Sequence, residues 1–428
     1  MTVLLLVAYA FAIVDRIIIG LLVDDIKTDL GVTDTQIGIL QGFAFAILYT
    51  LAAIPVGVLV DRWNRVKLLT IGIGVWSVMT IVSGFARSFG GLFVSRIGVG
   101  LGEATVTPAS SSLISDYFPP EKRQQAYGVF LVGGAIGAGM AYLLGGFAIA
   151  IGGPMQEWFP TLLGGFSTWH ITFILVGLPG LLIALLMLFT VREPVRRERA
   201  TATQKFSFDA ILRQYRRHPI AYAATYVGAV LNIAIVYAQL GWVPTAFIRL
   251  YDWTPTQIAT VLSMVSVPCA VISALSAGWF LSWFLKRGRT DGPILVAAMQ
   301  GGVWAIFGTL KFMMPTGELA MFFHAMTALT GSMGVAAALA GISQITPNEL
   351  RGQFTAIYAL LTGLVSVTAG SFIVGYLSDN LFPGTRGVGM SLSTVYFAFG
   401  VLAFVALFIG RRDFQAATVH ARQWVNKG

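Results

Sequence analysis

The chain has 428 residues, of which 56% are hydrophobic and 11% are charged, whereas soluble proteins carry about 25% charged residues. This composition excludes a soluble domain, because no soluble fold of this size could bury so much apolar surface. The net charge of +9 does not indicate a nucleic acid partner, since the basic residues lie in short loops between apolar segments. The single cysteine, Cys269, excludes an internal disulfide and a multi-cysteine metal site.

Twelve apolar stretches are long enough to cross a membrane as helices, which requires about 20 mainly apolar residues each. The first stretch lacks a basic flank and continues through charged residues, so we interpret it as a spanning helix and not as a cleaved signal peptide. The sequence predicts an all-α membrane protein with twelve transmembrane helices in two six-helix bundles. The predicted spans are residues 3–23, 35–58, 67–86, 90–115, 124–151, 169–190, 220–248, 255–284, 292–313, 318–345, 353–377 and 389–410.

The loops between these spans differ in charge between the two faces of the membrane. The basic loops fall on one face, which the positive-inside rule assigns to the cytoplasm together with both termini. We therefore expect a multi-pass protein of the plasma membrane, which is the inner membrane in a bacterium. Its predicted parts are an N-terminal bundle at 1–190, a cytoplasmic linker at 191–219, a C-terminal bundle at 220–410 and a cytoplasmic tail at 411–428. Within the linker, RQYRRHP is either a short amphipathic helix at the membrane surface or part of an unstructured basic segment.

The two predicted bundles share a faint repeat. Pro119 precedes Arg123 by four positions after the fourth span, and Pro347 precedes Arg351 by four positions after the tenth. Parallel six-helix repeats joined by a cytoplasmic linker are typical of the major facilitator fold.

Four charged residues lie inside predicted spans: Asp15 and Arg16 in the first, Arg96 and Glu103 in the fourth. One such charge costs roughly 2.5 to 3.5 kcal/mol on membrane-insertion scales. Arg96 and Glu103 share a helix face but lie about 10 Å apart along its axis, so each should find its partner on the first span. A static ion-pair network is the alternative, but buried ion pairs stabilise poorly compared with apolar residues. We therefore predict that Asp15 and Glu103 couple transport to protons, and that Arg96 and Arg16 bind an anionic substrate.

The C-terminal half differs, because its predicted spans place no Asp, Glu, Lys or Arg at mid-membrane depth. The central cavity should then be charged on its N-terminal side and apolar or aromatic on its C-terminal side. Tyr237, Gln239 and Tyr358 are expected to supply neutral polar contacts to the substrate. Such a cavity suits an amphiphile with an anionic head and an apolar tail. His324 in the tenth span is interpreted as a hydrogen-bonded structural residue sooner than as a proton relay.

Other functional classes lack their motifs in this sequence. No Gly-rich stretch ends in Gly-Lys-Ser or Gly-Lys-Thr, so ATP drive is not supported. No nucleophile–His–acid cluster and no HExxH spacing support an enzyme acting on lipid. A passive channel is disfavoured by two repeats with buried ion pairs. We expect a monomeric secondary transporter with no cofactor and no metal.

The segment GVLVDRWNRVKLL, between the second and third spans, resembles the signature of the major facilitator superfamily. The matching positions are Gly57, Leu59, Asp61, Arg62, Arg65 and Lys67, whereas Asn64 replaces a glycine. The resemblance implies a cytoplasmic gate that begins at Gly57, in which Asp61 with Arg62 and Arg65 forms a latch. Arg123, at the end of the fourth span, is the candidate partner. The alternative is that these charges only set the topology.

Three segments narrow the resemblance: Asp15-Arg16 followed by an acidic loop ending in TDTQIGIL, the segment from Arg96 to Glu103, and SLISDYFPPEKR after it. Together they are similar to the Spinster branch of the superfamily. That resemblance implies proton-coupled export of lysophospholipids or sphingoid phosphates, with functional charges at Asp15, Arg96 and Glu103. The implied partners are an amphipathic or anionic small molecule, protons and membrane lipids. Symporters of sugar acids or aromatic acids share a similar Gly-Glu-Ala segment and are the alternative.

Overall fold

The computed structural model describes residues 1–196 and 208–425, and helices are the only regular secondary structure in those ranges. The described part of the first half contains α1 (Thr2–Ile17), α2 (Val23–Leu30), α3 (Asp34–Gln41), α4 (Phe43–Arg62), α5 (Arg65–Ser83), α6 (Phe89–Glu103), α7 (Val106–Tyr117), α8 (Pro120–Trp158), α9 (Pro160–Leu163) and α10 (Thr168–Thr190). A short helix between the halves is α11 (Phe208–Arg217). The described part of the second half contains α12 (Pro219–Tyr251), α13 (Pro255–Lys286), α14 (Gly292–Val303), α15 (Thr309–Lys311), α16 (Gly317–Ala328), α17 (Met333–Ile345), α18 (Asn348–Leu360), α19 (Val367–Asn380) and α20 (Gly387–Val425).

Eleven helical stretches among the described residues are long and apolar enough to cross a membrane. α6 and α7 form a twelfth crossing, because the break at Ala104 and Thr105 only interrupts one apolar stretch. The predicted all-α protein with twelve spans is therefore confirmed. The fifth span is longer than predicted and runs from Glu121 to Trp158.

The last helix departs most from its predicted bounds. α20 continues beyond residue 410 to Val425, so the segment predicted as a tail is helical as far as the structure describes it. Phe414 and Ala417 lie on one face of this extension and are buried in the core of the second half. This apolar face explains why the helix continues past the membrane-spanning stretch.

The described part of the linker contains a helix, as one of the two interpretations expected. In α11, Ile211 is buried against the second half, and Gln214 Nε2 donates to Tyr222 Oη at 3.1 Å and to the Ile345 carbonyl at 3.3 Å. The helix is thus attached to the C-terminal bundle by both apolar and polar contacts. The predicted linker residues 197–207 lie outside the described residues.

The sequence repeat corresponds to a repeated contact. Arg123 Nε donates to the Phe118 carbonyl at 3.1 Å, and Arg351 Nε donates to the Thr346 carbonyl at 3.1 Å. The crossings before these arginines are also both broken near their middle, at residues 104–105 and 329–332. The two halves therefore share local geometry as well as helix order.

Because the crossings alternate in direction, their turns fall on two faces. The face that carries the linker, here called the linker face, includes the turns at 62–65, 118–120, 287–291 and 346–348. The other face, here called the opposite face, includes the turns at 22–33, 84–88, 252–254 and 381–386. Both termini of the described chain belong to the linker face.

Close packing between α4 and α6 positions the buried charges. A Cβ atom at Gly100 would lie 2.3 Å from the Phe45 carbonyl oxygen, so only glycine allows the two backbones to approach this closely. This approach holds Arg96 and Glu103 of α6 beside Arg16 of α1.

Candidate functional site

An ion pair joins α1 to α6 inside the N-terminal bundle. Arg16 Nε donates to Glu103 Oε2 at 2.6 Å, and Arg16 Nη2 lies 2.6 Å from the same oxygen. The Glu103 side chain is fully buried. The rings of Phe45 and Tyr49 lie 4.5 and 5.0 Å from the Arg16 guanidinium carbon. Because the pair is shielded from water, its attraction is stronger than that of a surface pair.

Arg96 makes a different contact from the one expected. Its Nη2 donates to the backbone carbonyl of Asp15 at 2.9 Å, and it forms no ion pair within the described part of the chain. The prediction that its partner lies on the first span is correct. Glu103, the other charge on this helix face, forms an ion pair with Arg16 of the first span.

This group of four charges, here called the charge quartet (Asp15, Arg16, Arg96 and Glu103), contains unpaired polar atoms. Within the described structure, Asp15 Oδ1, Glu103 Oε1, Arg96 Nε and Arg96 Nη1 are buried without a hydrogen-bond partner. Leaving such an atom unpaired costs about 1 to 3 kcal/mol. The quartet therefore has free donors and free acceptors side by side, which allows its members to exchange partners.

A cavity of about 50 Å³ lies beside the quartet. Its N-terminal wall consists of Ile13, Arg16, Ile17, Gln41, Phe45 and Arg96, and its C-terminal wall of Tyr237, Leu240, Gly241 and Ser371. Both charged residues belong to the first wall, so the cavity has the predicted asymmetry. Its volume accommodates a few water molecules, at roughly 10 to 15 Å³ of cavity each, and not a larger molecule.

Of the three neutral residues predicted to contact substrate, only Tyr237 lines this cavity. Gln239 instead accepts hydrogen bonds from Tyr396 Oη at 2.6 Å and Thr327 Oγ1 at 3.4 Å, inside the C-terminal bundle. Tyr358 is buried outside the cavity lining, and its hydroxyl has no partner among the described residues.

The second half also contains a buried lysine, which lies at the end of a span and so outside the mid-membrane region that the sequence predicts to be free of charge. The Lys311 side chain is fully buried, and its Nζ lies 2.9 Å from Tyr396 Oη and 3.3 Å from His324 Nδ1. A lysine at the end of a span usually extends toward water. Here its amine instead reaches the interior of the bundle.

The residues of the predicted cytoplasmic gate differ in their burial and in their contacts. Asp61 and Arg62 are exposed and make no ion pair within the described residues, and Gly57 faces open space. Arg65 is buried, pairs with Asp116, and donates from Nε to Glu193 Oε1 at 2.7 Å.

The expected contact of Asp61 with Arg65 is therefore absent from this conformation, because Arg65 is bound by carboxylates of α7 and the linker. Arg123 binds the Phe118 carbonyl, as described above.

Charges outside the predicted site residues join the halves at the opposite face. Arg249 of α12 donates to Asp24 Oδ1 at 2.6 Å and to Asp34 Oδ2 at 2.8 Å. Asp34 also accepts from Ser378 Oγ at 2.7 Å, and Asp379 accepts from the Thr35 backbone at 2.6 Å. We call Asp24, Asp34, Arg249, Ser378 and Asp379 the opposite-face lock.

The backbones of the two halves also touch near the cavity. A Cβ at Gly20 would lie 2.7 Å from the Gly241 carbonyl oxygen, and Thr245 Oγ1 donates to the Gly20 carbonyl at 3.1 Å. Gln41 Nε2 donates to the Gly241 carbonyl at 3.0 Å. The cavity is therefore closed toward the opposite face.

The sequence contained one signal for this lock. Arg249 is a basic residue at the end of a span on the face that is otherwise poor in basic residues, so the positive-inside rule does not explain it. Such an exception indicates a specific partner.

The sequence matches the Major Facilitator Superfamily over residues 5–314. The chain belongs to this superfamily. It is therefore a multi-pass membrane transporter of small-molecule substrates and not an enzyme, and the predicted fold is confirmed.

The chain is 24% identical to the D-galactonate transporter of Escherichia coli, over 95% of this chain and 94% of that protein. It is 26% identical to the protein spinster of Drosophila melanogaster, over 66% of this chain and 46% of that protein. Among solved structures, it resembles a bacterial homologue of the human lysosomal transporter Spinster in an inward-facing, unoccupied conformation. The TM-score is 0.83 at 23% identity, covering 97% of each chain. The predicted resemblance to the Spinster branch is confirmed, as is a relation to sugar-acid transporters.

Proposed function

We propose that this protein is a proton-coupled secondary transporter that moves an amphipathic anion by alternating access. The observation that carries the proposal is the charge quartet beside the cavity, in which Arg16 both lines the cavity and binds Glu103. One guanidinium therefore faces the cavity and a titratable carboxylate at the same time, and the cavity would widen to admit a substrate when the bundles rock apart.

Competition for Arg16 would link substrate binding to protonation. A carboxylate or phosphate binds a guanidinium with the same geometry that Glu103 uses. When a substrate anion takes Arg16, Glu103 loses its counter-charge and binds a proton more readily. The converse also follows, because linkage between two binding events is reciprocal. Arg96, with two nitrogens unpaired among the described residues, and Asp15, with one unpaired oxygen, would serve as the second anion contact and the second proton acceptor.

The two cavity walls support an amphipathic substrate. The anionic head would bind the arginines of the N-terminal wall, and an apolar tail would lie along the uncharged wall that contains Tyr237 and Leu240. A tail arriving from lipid gains little on burial, because the gain of about 0.8 kcal/mol per methylene applies to transfer from water. The head should therefore decide selectivity, and lysophospholipids or sphingoid phosphates are the proposed class.

A small sugar acid is the second candidate, and the near full-length match to the D-galactonate transporter favours it. The same arginines would bind its carboxylate. The two candidates differ in what the C-terminal wall must accept, since a sugar acid needs hydroxyl partners and a lysolipid needs apolar surface.

Alternating access would use the two faces in turn. With the opposite-face lock closed, substrate would exchange with the linker face, which we propose is cytoplasmic. When the linker face closes, exposed Asp61 and Arg62 would come into contact with the other bundle and form the latch that the signature implies.

The test is transport by the purified protein in proteoliposomes with an imposed pH gradient. Lysophosphatidylcholine, sphingosine 1-phosphate and D-galactonate are offered separately. Glu103→Gln should abolish the response to the pH gradient, and Arg16→Lys should weaken substrate binding more than Arg412→Lys, a control at an exposed arginine outside the site and the gate. Transport of D-galactonate but of neither lipid would select the second candidate. Undiminished proton-driven transport by Glu103→Gln would overturn the proposal.

A further inference from the structure

The described part of the C-terminal bundle contains a buried lysine without a carboxylate partner. Lys311 is fully buried at the end of α15, and no carboxylate of the described residues lies within 4 Å of its amine. Its contacts are Tyr396 Oη at 2.9 Å and His324 Nδ1 at 3.3 Å. A buried ammonium without a counter-ion is strongly unfavourable, so the permanent charge of an ordinary lysine does not fit this position.

The hydrogen bonds around Lys311 have a defined direction. Tyr396 donates its only proton to Gln239 Oε1 at 2.6 Å, since that oxygen can only accept. The Tyr396 oxygen must then accept from Lys311 Nζ. The contact between Lys311 Nζ and His324 Nδ1 joins two nitrogens that each have one lone pair for a proton, and His324 Nε2 is buried without a partner.

We propose that Lys311 and His324 form a proton-binding site inside the C-terminal bundle, separate from the acids of the charge quartet. The pair holds one exchangeable proton. Its uptake forms one N–H bond with a lone pair of Lys311 Nζ or His324 Nδ1, breaks no covalent bond in the protein, and adds one positive charge to the bundle. This inference deepens the proposed function and rests on it only for the transport measurement below.

Among the residues that the structure describes, no other group near the pair would neutralise this charge. The ionisable residues that face the pair are Tyr396 on α20 and Tyr251 on α12, whose hydroxyl lies 3.5 Å from the Lys311 carbonyl. Tyr142 of α8 belongs to the same apolar core as Tyr396. All three are phenols, which are neutral near pH 7. The proton balance of the site therefore rests on its two nitrogens.

The site is connected to the seam between the bundles through α12. Gln239, which is less buried than Lys311 and His324, is the end of the hydrogen-bonded chain on that helix. The same helix carries Gly241, against Gly20 of the N-terminal bundle, and Arg249 of the opposite-face lock. Opening of the lock would expose the face of α12 that lies at the seam, and so change the access of water to the end of the chain at Gln239.

The first test measures protonation directly and needs no substrate. The chain has four histidines, so ¹⁵N-histidine NMR of the protein in lipid nanodiscs can follow each between pH 5 and pH 9. The signal of His324 is assigned by its loss in His324→Asn. Lys311→Met should shift the titration of His324 by about one pH unit or more, whereas Lys286→Met, which removes an exposed lysine, should not. Tyr396→Phe keeps both nitrogens, so that variant should retain a titrating pair.

The second test separates this site from the proposed function. Glu103→Gln should lose proton-driven transport yet retain the titration of His324, and Lys311→Met should change the pH profile of lysophosphatidylcholine transport. If no proton binds to the pair between pH 5 and pH 9, or if Lys311→Met leaves the His324 titration unchanged, the site does not exist. That outcome would leave the role of Glu103 unaffected.

Discussion

The two ends of the seam between the bundles are held by different kinds of contact. At the opposite face, Arg249 of the second half binds Asp24 and Asp34 of the first half. At the linker face, charges bind within their own half. Arg65 binds Asp116 and Glu193 in the first half, and Asp291 binds Arg289 and Arg411 in the second. The charges of one face hold the bundles to each other, whereas the clusters of the other face hold each bundle together.

This difference matches what alternating access requires. Two bundles can rock against each other only if each is internally rigid and the contacts between them can be released. The linker-face clusters supply rigidity, and the opposite-face lock is the releasable contact. Substitutions in the lock should therefore change the balance of conformations, and substitutions in the clusters should change stability.

The largest effect is expected for Arg249→Ala. Asp34 is buried and would keep Lys27 as its charged partner, but it would lose the charge-assisted hydrogen bonds from Arg249, which together contribute about 3 kcal/mol. This loss should raise the population open at the opposite face about a hundredfold relative to the closed one. Distances between spin labels at Thr28 and Asn380, two exposed positions on that face, should lengthen.

Asp29→Asn is the control for this prediction. Asp29 lies on the same face but accepts from Ser167 and Trp169 of its own half, at 3.0 and 2.8 Å. Its substitution should leave the spin-label distances unchanged. Equal distances in Arg249→Ala and the unmodified protein would show that the lock does not hold the bundles closed.

A single methyl group should also weaken the closed opposite face. A Cβ at Gly375 would lie 2.2 Å from the Asp34 carbonyl oxygen, whereas a Cβ at Gly74 meets nothing within 4 Å. Overpacking of this kind costs about 1 to 3 kcal/mol, so Gly375→Ala should open the same spin-label distance less than Arg249→Ala does. Gly74→Ala should have no effect. If the spin-label distance in Gly375→Ala stayed as short as in the unmodified protein, α3 and α19 would have accommodated the added methyl group without separating.

How far the sequence predicts this molecule depends on whether a property is local. Hydropathy predicts the membrane spans. The energetic cost of placing a charge in lipid indicates a role for Asp15, Arg16, Arg96 and Glu103 without any knowledge of their contacts. The partner of Glu103 was not predictable, because Arg16 and Asp15 point about 100° apart on their helix. The rotation of α1 is set by packing against glycines of other helices, such as Gly133 against Leu6.

Long-range pairing explains the other misses. Lys311 contacts His324 and Tyr396, which lie 13 and 85 positions away, so its span alone gave no reason to place the amine inside the bundle. Arg249 lies more than 200 positions from both of its acids. The position of Tyr358 has a local cause instead. Residues Leu361–Ser366 form a π-helical turn, which changes the helix register between Tyr358 and the seam.

Within the signature motif, the two arginines should differ in their effect on stability. Arg65 is 1% exposed and binds two carboxylates, whereas Arg62 is exposed and unpaired within the described residues. Arg65→Ala should lower the free energy of unfolding by about 2 kcal/mol, since hydrogen bonds to charged groups are lost. Arg62→Ala should change it by less than about 0.5 kcal/mol. Thermal unfolding in detergent measures both, and equal unfolding temperatures would contradict the role of Arg65 as an anchor.

The smallest effect is expected from the linker-face cluster of the second half, and it depends on pH. Burial disfavours the charged form of Asp291, but hydrogen bonds from Arg289 and Arg411 outweigh it and lower the pKa of this carboxyl below its ordinary value. A lowered pKa in the folded protein means that the stabilisation is complete above the unfolded pKa of about 3.9 and is lost as the pH falls below it.

Asp291→Asn should therefore lower the unfolding temperature at pH 7, and its difference from the unmodified protein should shrink as the pH falls from 5 toward 3. Asp252→Asn, at an exposed position on the opposite face, is the matched control and should show no such trend. A difference for Asp291→Asn that stays constant with pH would indicate that the side chain acts through its shape and not its charge. The cluster would then give the C-terminal bundle no electrostatic rigidity, and the Arg65 cluster would support the contrast between the two faces where the Asp291 cluster does not.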